Sequence, residues 1–190
     1  MWAVGLMLAG TPVLAGSSER EAAAEAYRLS EEATRLVQKG AWQGVERTYL
    51  RAVETGAPLS AAMHLTGARS SMQIGDATEA RQRLLSAYEL ERDPEVLAWL
   101  TTYSRQYTRV TLKVDPGAKL EVERRHFDAE RARVVDRAAE ILAETGAFDG
   151  LLPMGRYRVG AFWFKVREDD ADIEQDLRAC AKSGTCEAAP

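Results

Sequence analysis

Apolar side chains recur every three or four positions through most of residues 18–106, the period that places them on one face of an α-helix. The pattern breaks at Gly40, at Gly75 and at Asp93-Pro94. A glycine just beyond a periodic segment ends a helix, and proline fits the first turn of the next one. These breaks, together with the periodicity between them, predict a series of about five helices.

Several of the predicted helices begin at residues whose side chains bind free backbone amides. Ser18 and Glu21 have the spacing of a capping box, which predicts that the first helix begins there. The second periodic segment begins near Trp42, the third at Ser60 and the fourth at Asp76. We therefore expect a helical N-terminal half.

The pattern changes at Tyr107, where apolar and polar residues alternate as far as Val114. This alternation predicts a half-buried β-strand. Residues 115–118, Asp-Pro-Gly-Ala, place proline and glycine where a type II turn requires them. We expect the chain to turn back there, so that residues 120–122 form the second strand of a hairpin.

Residues 119–145 allow a second interpretation, because apolar side chains recur there every seven positions, as in one long helix. The alternative is a short strand followed by a helix that Asp128 caps and Gly146 ends. We favour the strand and helix, since the Pro-Gly turn follows a clear strand and invites its return.

A second hairpin is predicted further along the chain. Residues 155–159 and 162–166 each alternate between apolar and polar side chains, and only Gly160-Ala161 separates them. A two-residue connection with glycine is typical of a tight β-hairpin. Acidic residues follow, and we expect a helix from about residue 170 to 181.

One face of this hairpin is basic. Arg156 and Arg158 alternate on its first strand, and Lys165 and Arg167 on its second. Such a ladder is either a solvated sheet face or a surface that receives the acidic segment at 169–176 through ion pairs.

The first sixteen residues carry no charged side chain. The apolar stretch from Trp2 to Leu14 has the length of a signal-peptide core and is shorter than the roughly 20 residues that span a bilayer. Small residues before Gly16 offer a cleavage site, although no basic residue precedes the stretch. We predict a signal peptide at 1–15, export to the periplasm or outside the cell, and no stable membrane span; the alternative is a short buried helix.

The two cysteines of the chain are Cys180 and Cys186. In an oxidising compartment they form a natural pair that closes a small loop, in which Gly184 allows the backbone to turn. We predict a disulfide that secures the C-terminal tail. The alternative is two free thiols in a cytosolic protein.

The helical half contains an internal repeat. Gly40 and Gly75 are 35 residues apart, and the pattern Val45-x-x-x-Tyr49-x-x-Ala52 matches Ala80-x-x-x-Leu84-x-x-Ala87. This half resembles the tetratricopeptide repeat family, although Val45 stands where the family prefers alanine. The resemblance implies two helix–turn–helix repeats and a closing helix.

The tetratricopeptide resemblance also implies a binding surface. In such a superhelix the first helix of each pair lines a concave face that holds an extended peptide or a partner helix. The positions that the resemblance assigns to this groove are Tyr27, Thr34, Gln38, Leu65, Arg69, Met72 and Gln73. An alternative for Leu65 and Met72 is packing against the following domain.

The second half carries a shorter resemblance. The Pro-Gly-Ala turn at 116–118 and Gly155-Arg156-Tyr157-Arg158-Val159 are similar to the PEGA-type β-domain of bacterial envelope proteins. That simple pattern has no place for the helix predicted between them. The resemblance implies a small β-domain in an envelope protein.

Charge and motifs narrow the function further. A net charge of −4 and a pI of about 5.4 argue against a general nucleic-acid binder. The sequence has no phosphate-binding loop, nucleophile elbow or zinc-protease motif. We expect His64 to be a packing residue, and the spacing of His126, Asp128 and Glu130 puts them on different helix faces. The sequence therefore predicts no catalytic residue, metal or cofactor.

The sequence as a whole predicts an α+β protein. Its expected parts are the signal peptide at 1–15, a tetratricopeptide-like domain at 18–106, a small PEGA-like α+β domain at 107–168, and an acidic C-terminal helix with a cysteine-closed tail at 169–190. We expect a non-enzymatic module of the bacterial envelope that binds or assembles a protein or peptide partner. The alternatives are a cytosolic scaffold and an accessory subunit or enzyme with an unrecognised site.

Overall fold

The structure, a computed structural model, describes residues 15–123, 127–168 and 172–178. The described part of the chain is an α+β fold, as predicted, with five helices followed by a mixed α and β region. The first helices are α1 (Ala15–Gln38), α2 (Trp42–Glu54), α3 (Ala61–Gln73), α4 (Ala77–Glu91) and α5 (Pro94–Gln106).

Local capping explains where three of these helices begin. The side chains of Ser60, Asp76 and Asp93 each accept a hydrogen bond from a backbone amide two or three residues later. Ser18 does not act in this way, because it lies inside α1, whose described residues run from Ala15. The predicted capping box is therefore wrong.

Consecutive helices pack against one another, and the repeated positions form their contacts. Small side chains let the helices approach closely, and larger ones fill the space beside them. Both sets of repeat positions are buried, namely Val45, Tyr49 and Ala52 in α2 and Ala80, Leu84 and Ala87 in α4.

The described residues of the second half form two three-stranded sheets and one helix. Its elements are β1 (Tyr107–Lys113), β2 (Leu120–Val122), α6 (Ala129–Thr145), β3 (Ala147–Pro153), β4 (Gly155–Val159), β5 (Phe162–Val166) and β6 (Ile173–Asp176). One sheet has the order β3-β1-β6 and the other β2-β4-β5. Their apolar faces and α6 enclose a core that includes Leu112, Leu142, Leu152, Tyr157 and Phe164.

The strand and helix predicted between residues 119 and 145 are confirmed, whereas the first predicted hairpin is wrong. The turn forms, since the Ala118 amide donates to the Asp115 carbonyl at 3.2 Å and Gly117 has a φ of +88°. However, β1 pairs with β3 and β6, while β2 pairs with β4. The Gly117 amide donates to the Ala143 carbonyl in α6, which ties the turn to the helix.

The second hairpin forms as predicted. β4 and β5 pair in an antiparallel register that brings Val159 opposite Phe162, and Gly160 in the turn has a φ of +60°. β3 was not predicted. Gly150 and Pro153 interrupt its pattern of side chains, and its partner β1 lies about forty residues earlier in the chain.

The prediction of an acidic C-terminal helix is wrong for the part of this segment that the structure describes. Residues 173–176 form β6, parallel to β1, and Leu177 is buried in the adjacent core. The free edge of β1 supplies hydrogen-bond partners, and the Leu177 amide donates to the Lys113 carbonyl at 2.7 Å. Cys180 and Cys186 lie outside the described residues.

A buried ion pair ties α2, α3 and α4 together. The Arg83 guanidinium, 4% exposed, donates to both Glu46 carboxylate oxygens at 2.6 and 2.7 Å. It also donates to the Gly67 carbonyl at 3.0 Å and lies 4.0 Å from the centroid of the Tyr49 ring. Ser70 donates to Glu46 at 2.7 Å. Each helix therefore supplies a partner to the same cluster.

Gly67 is required beside this cluster. A Cβ at this position would lie 2.5 Å from the Tyr49 ring, so only glycine allows α3 to pack so closely. The Tyr49 hydroxyl is 3.0 Å from His64 Nδ1, and burial lowers the pKa of His64. His64 thus contacts the core of the helical half.

Breaking the buried pair is expected to destabilise the fold. Glu46→Ala removes the two-bonded carboxylate partner of the buried Arg83 cation and leaves only the Gly67 carbonyl, the Tyr49 ring and the exposed Glu79 carboxylate at 3.6 Å. We expect this to cost about 3 kcal/mol of unfolding free energy. Arg109→Ala is the matched control, because Arg109 makes a similar two-bonded pair with Asp149 on an exposed face. We expect it to cost under about 1 kcal/mol. Urea unfolding at neutral pH measures both.

The same experiment has a pH dependence. Burial alone raises the pKa of Glu46, but the hydrogen bonds from Arg83 and Ser70 outweigh it and hold the pKa below its usual value. The stabilisation is therefore complete above the unfolded-state pKa and is lost as the pH falls through the lower folded-state pKa. Equal losses of stability in Glu46→Ala and Arg109→Ala would contradict this account.

Candidate functional site

A cavity of about 280 Å³ opens between the helical half and α6. We call it the aromatic pocket. It is lined by Trp42, Ala68, Arg69, Met72, Gln73, Leu84, Trp99, Tyr103 and Glu130. Five helices, α2 to α6, contribute to it.

Aromatic rings form much of the wall. Trp99 and Tyr103 are four residues apart on α5 and so share one face of that helix. Tyr103 is buried and stacks on Tyr107 with ring centroids 4.9 Å apart, whereas Trp99 is 42% exposed. Trp42, the first residue of α2, adds a third ring. The pocket therefore has rigid apolar walls and an exposed indole.

Two polar groups on α3 line the same pocket. The Arg69 guanidinium carbon lies 5.5 Å from the centroid of the Trp99 ring, a cation–π contact at an exposed position. Gln73 is fixed from the other side, since Arg133 in α6 donates to its side-chain oxygen at 3.0 Å. These contacts hold the α3 face of the pocket in place.

Glu130 brings a carboxylate from the first turn of α6. It is half-buried, and burial, followed by the negative charge of Asp128, raises its pKa. Among the described residues no hydrogen bond or ion pair reaches its carboxylate. The charge of Glu130 is thus poorly compensated inside the pocket wall.

The Tyr103 hydroxyl is also without a partner. Its oxygen is buried and has no hydrogen bond within the described part of the chain. Burial, then the electrostatic influence of Tyr107, Glu130 and Asp76, raises the pKa of Tyr103 far above its usual value. The phenol is therefore neutral, and its donor capacity is unused.

The structure brings together three of the predicted groove residues, Arg69, Met72 and Gln73. Leu65 is half-buried and packs against the core of α3, α4 and α5. Tyr27, Thr34 and Gln38 are exposed on α1 and do not line the pocket, and the Thr34 hydroxyl donates to the Ser30 carbonyl.

The sequence prediction did not include the aromatic rings or Glu130. The sequence does indicate that Trp99 and Tyr103 share one face of α5, because they have helical i, i+4 spacing. No sequence pattern indicates that Trp42 and Glu130 line one cavity, because only the packing of α6 on the helical half brings them together.

A second cavity, of about 500 Å³, is more polar. Its charged lining residues include Arg109, which pairs with Asp149, and Glu168, which lies 3.9 Å from Arg105. Most of its lining side chains are exposed. Within the described ranges no group of histidine, cysteine and carboxylate side chains could hold a metal ion, and His126 lies outside these ranges.

The two arginines on the first strand of the basic ladder have acidic partners at their own sheet. Arg158 pairs with Glu121 on β2, and Arg156 lies 3.6 Å from Glu123, the residue after β2. Arg156 also lies 4.4 Å from the centroid of the Trp163 ring. Of the two alternatives for this face, docking of the acidic segment does not hold for residues 173–176, which pair with β1 instead.

Comparison with known proteins gave no match to any family model, curated protein or solved structure. In the described part of the chain, no helix is both long and apolar enough to cross a bilayer.

The unpartnered Tyr103 hydroxyl leads to a prediction. Tyr103→Phe should leave the unfolding free energy unchanged or raise it by about 1 kcal/mol, because no hydrogen bond is lost and an unpaired hydroxyl is no longer buried. Tyr157→Phe is the matched control, since the buried Tyr157 hydroxyl donates to the Pro153 carbonyl. It should cost about 1–2 kcal/mol. Thermal and urea unfolding measure both, and an equal cost would reveal a partner for the Tyr103 hydroxyl.

Proposed function

We propose that this chain is a non-enzymatic binding or assembly module of the bacterial cell envelope. In this proposal it holds a segment of a partner protein at the aromatic pocket. The observation that carries the proposal is a cavity with three aromatic walls, two of them tryptophans, beside the exposed α3 side chain of Arg69.

The size of the pocket supports a protein partner. Sites that enclose a drug-sized molecule usually have volumes of roughly 300–1,000 Å³. The aromatic pocket, at about 280 Å³, lies at the lower limit of this range, a volume that suits one large side chain. Tryptophan and arginine dominate the energetics of protein interfaces, and Arg69 and Trp99 lie at the pocket with exposed surface.

The sequence features support the remainder of the proposal. The tetratricopeptide resemblance favours a peptide-binding role for α3, the first helix of its pair. The uncharged N-terminal stretch, the Cys180 and Cys186 pair and the PEGA-like segments favour the envelope. A cytosolic scaffold remains the alternative that the experiment must distinguish.

Site-specific photo-crosslinking in the native host tests this proposal. The photoreactive amino acid p-benzoylphenylalanine is placed at Arg69 or at Trp99 in the pocket. Trp163 is the matched control, because it is also a tryptophan that is 42% exposed, on the outer face of β5. We expect both pocket positions to yield one crosslinked product of the same mass, recovered in the periplasmic fraction.

The crosslinking results distinguish binding at the pocket from the alternatives. No product at either pocket position, or an equal yield of the same product at Trp163, would contradict binding at the pocket. A product recovered from the cytoplasm, on a chain that retains residues 1–15, would favour the cytosolic scaffold. Using two pocket positions ensures that the loss of the Trp99 indole does not decide the outcome.

A further inference from the structure

We propose that the aromatic pocket receives the cationic end of a lysine or arginine side chain from the partner protein. This inference rests on the proposed function, because it specifies the chemistry of the residue that the partner inserts.

The aromatic walls are the first argument. The face of an indole or phenol ring carries negative electrostatic potential and attracts cations, most strongly for tryptophan. Trp42, Trp99 and Tyr103 line the same small cavity. Arg69 already lies over Trp99 at 5.5 Å, which shows that this ring is accessible to a guanidinium group.

The carboxylate of Glu130 is the second argument. Its two basic neighbours on α6 make their hydrogen bonds to other groups, since Arg131 donates to Asp128 at 3.1 Å and Arg133 donates to Gln73. Their positive charges lower the pKa of Glu130, but burial and Asp128 outweigh them. Glu130 is therefore a half-buried anion with no ion pair among the described residues. A cation that enters the pocket gives it the missing counter-charge.

Other guests fit less well. An apolar side chain would cover Glu130 and leave its charge more deeply buried without a partner, which is costly. An anionic guest would meet the same charge at close range. Arg69, the one cation among the described residues that line the pocket, is exposed to solvent, where an ion pair contributes little. A cationic guest is the class that satisfies both the rings and the carboxylate.

Arg69 occupies the ring that a cationic guest would contact. It is a cation of the chain itself, held by the same ring that a guest would use. It therefore competes with an incoming lysine or arginine for Trp99 and adds like-charge repulsion. Removing its charge should improve binding of a cation, which is opposite to the effect of removing the charge of Glu130.

The test is an NMR titration of the purified full chain with two small probes. Nα-acetyl-lysinamide carries the cation, and Nα-acetyl-norleucinamide is its neutral analogue of similar length. Ionic strength is held constant, and the indole N–H signals of Trp42 and Trp99 are followed with that of Trp163 as internal control. We expect the lysine probe to shift the pocket signals with millimolar affinity, at least about 5-fold tighter than norleucine.

Variants of opposite effect strengthen the test. Glu130→Gln should reduce the lysine affinity about 5- to 10-fold, to the level of norleucine, and Arg69→Met should increase it. Glu140→Gln is the matched control, because Glu140 is on the same helix but is exposed. It should leave the affinity unchanged. The amide spectrum of each variant verifies that it is folded.

The outcomes separate this inference from the proposed function. Equal binding of the two probes, or a lysine affinity that Glu130→Gln does not lower, overturns the cation preference, while photo-crosslinking at the pocket would still support partner binding. No response of Trp42 and Trp99 to either probe also overturns the inference. The proposed function fails separately, if the crosslinking positions give no product.

Discussion

The close approach of α6 to the turn between α3 and α4 is the contact on which the rest of the arrangement depends. At this turn Gly75 has a φ of +86°, and a Cβ there would lie 2.4 Å from the Arg133 carbonyl oxygen in α6. No larger residue fits without moving one of the two backbones. The glycine that ends α3 therefore also fixes how close α6 can come.

Several further contacts depend on that approach. Val134 of α6 is buried in the same core cluster as Ala77 and Tyr107, and Thr78 accepts a hydrogen bond from the Leu151 amide at 3.0 Å. The helical half and the β-containing half therefore share buried surface. Because α6 is held against α3, Glu130 reaches a cavity whose aromatic walls belong to other helices. Without this packing the rings would line an open groove with no carboxylate.

The parts of the fold that the sequence predicted correctly are those governed by local chemistry. Caps such as Asp76 and helix-ending glycines such as Gly75 act within a few residues, so the five helices could be placed. Strand pairing could not, because the partners of β1 are distant in sequence and α6 holds the turn at 115–118. The difference between local and distant contacts also explains which residues of the aromatic pocket the sequence predicted. Arg69, Met72 and Gln73 share one helix face, whereas Glu130 reaches them only through tertiary packing.

The central claim is that the helices and the β-containing half form one cooperative body, because the pocket exists only where they meet. Differential scanning calorimetry of the intact chain tests it directly. We predict a single unfolding transition whose calorimetric and van't Hoff enthalpies agree, as for a two-state domain. Two resolved transitions, or a calorimetric enthalpy well above the van't Hoff value, would show that the halves unfold separately and would contradict a pocket maintained by their packing.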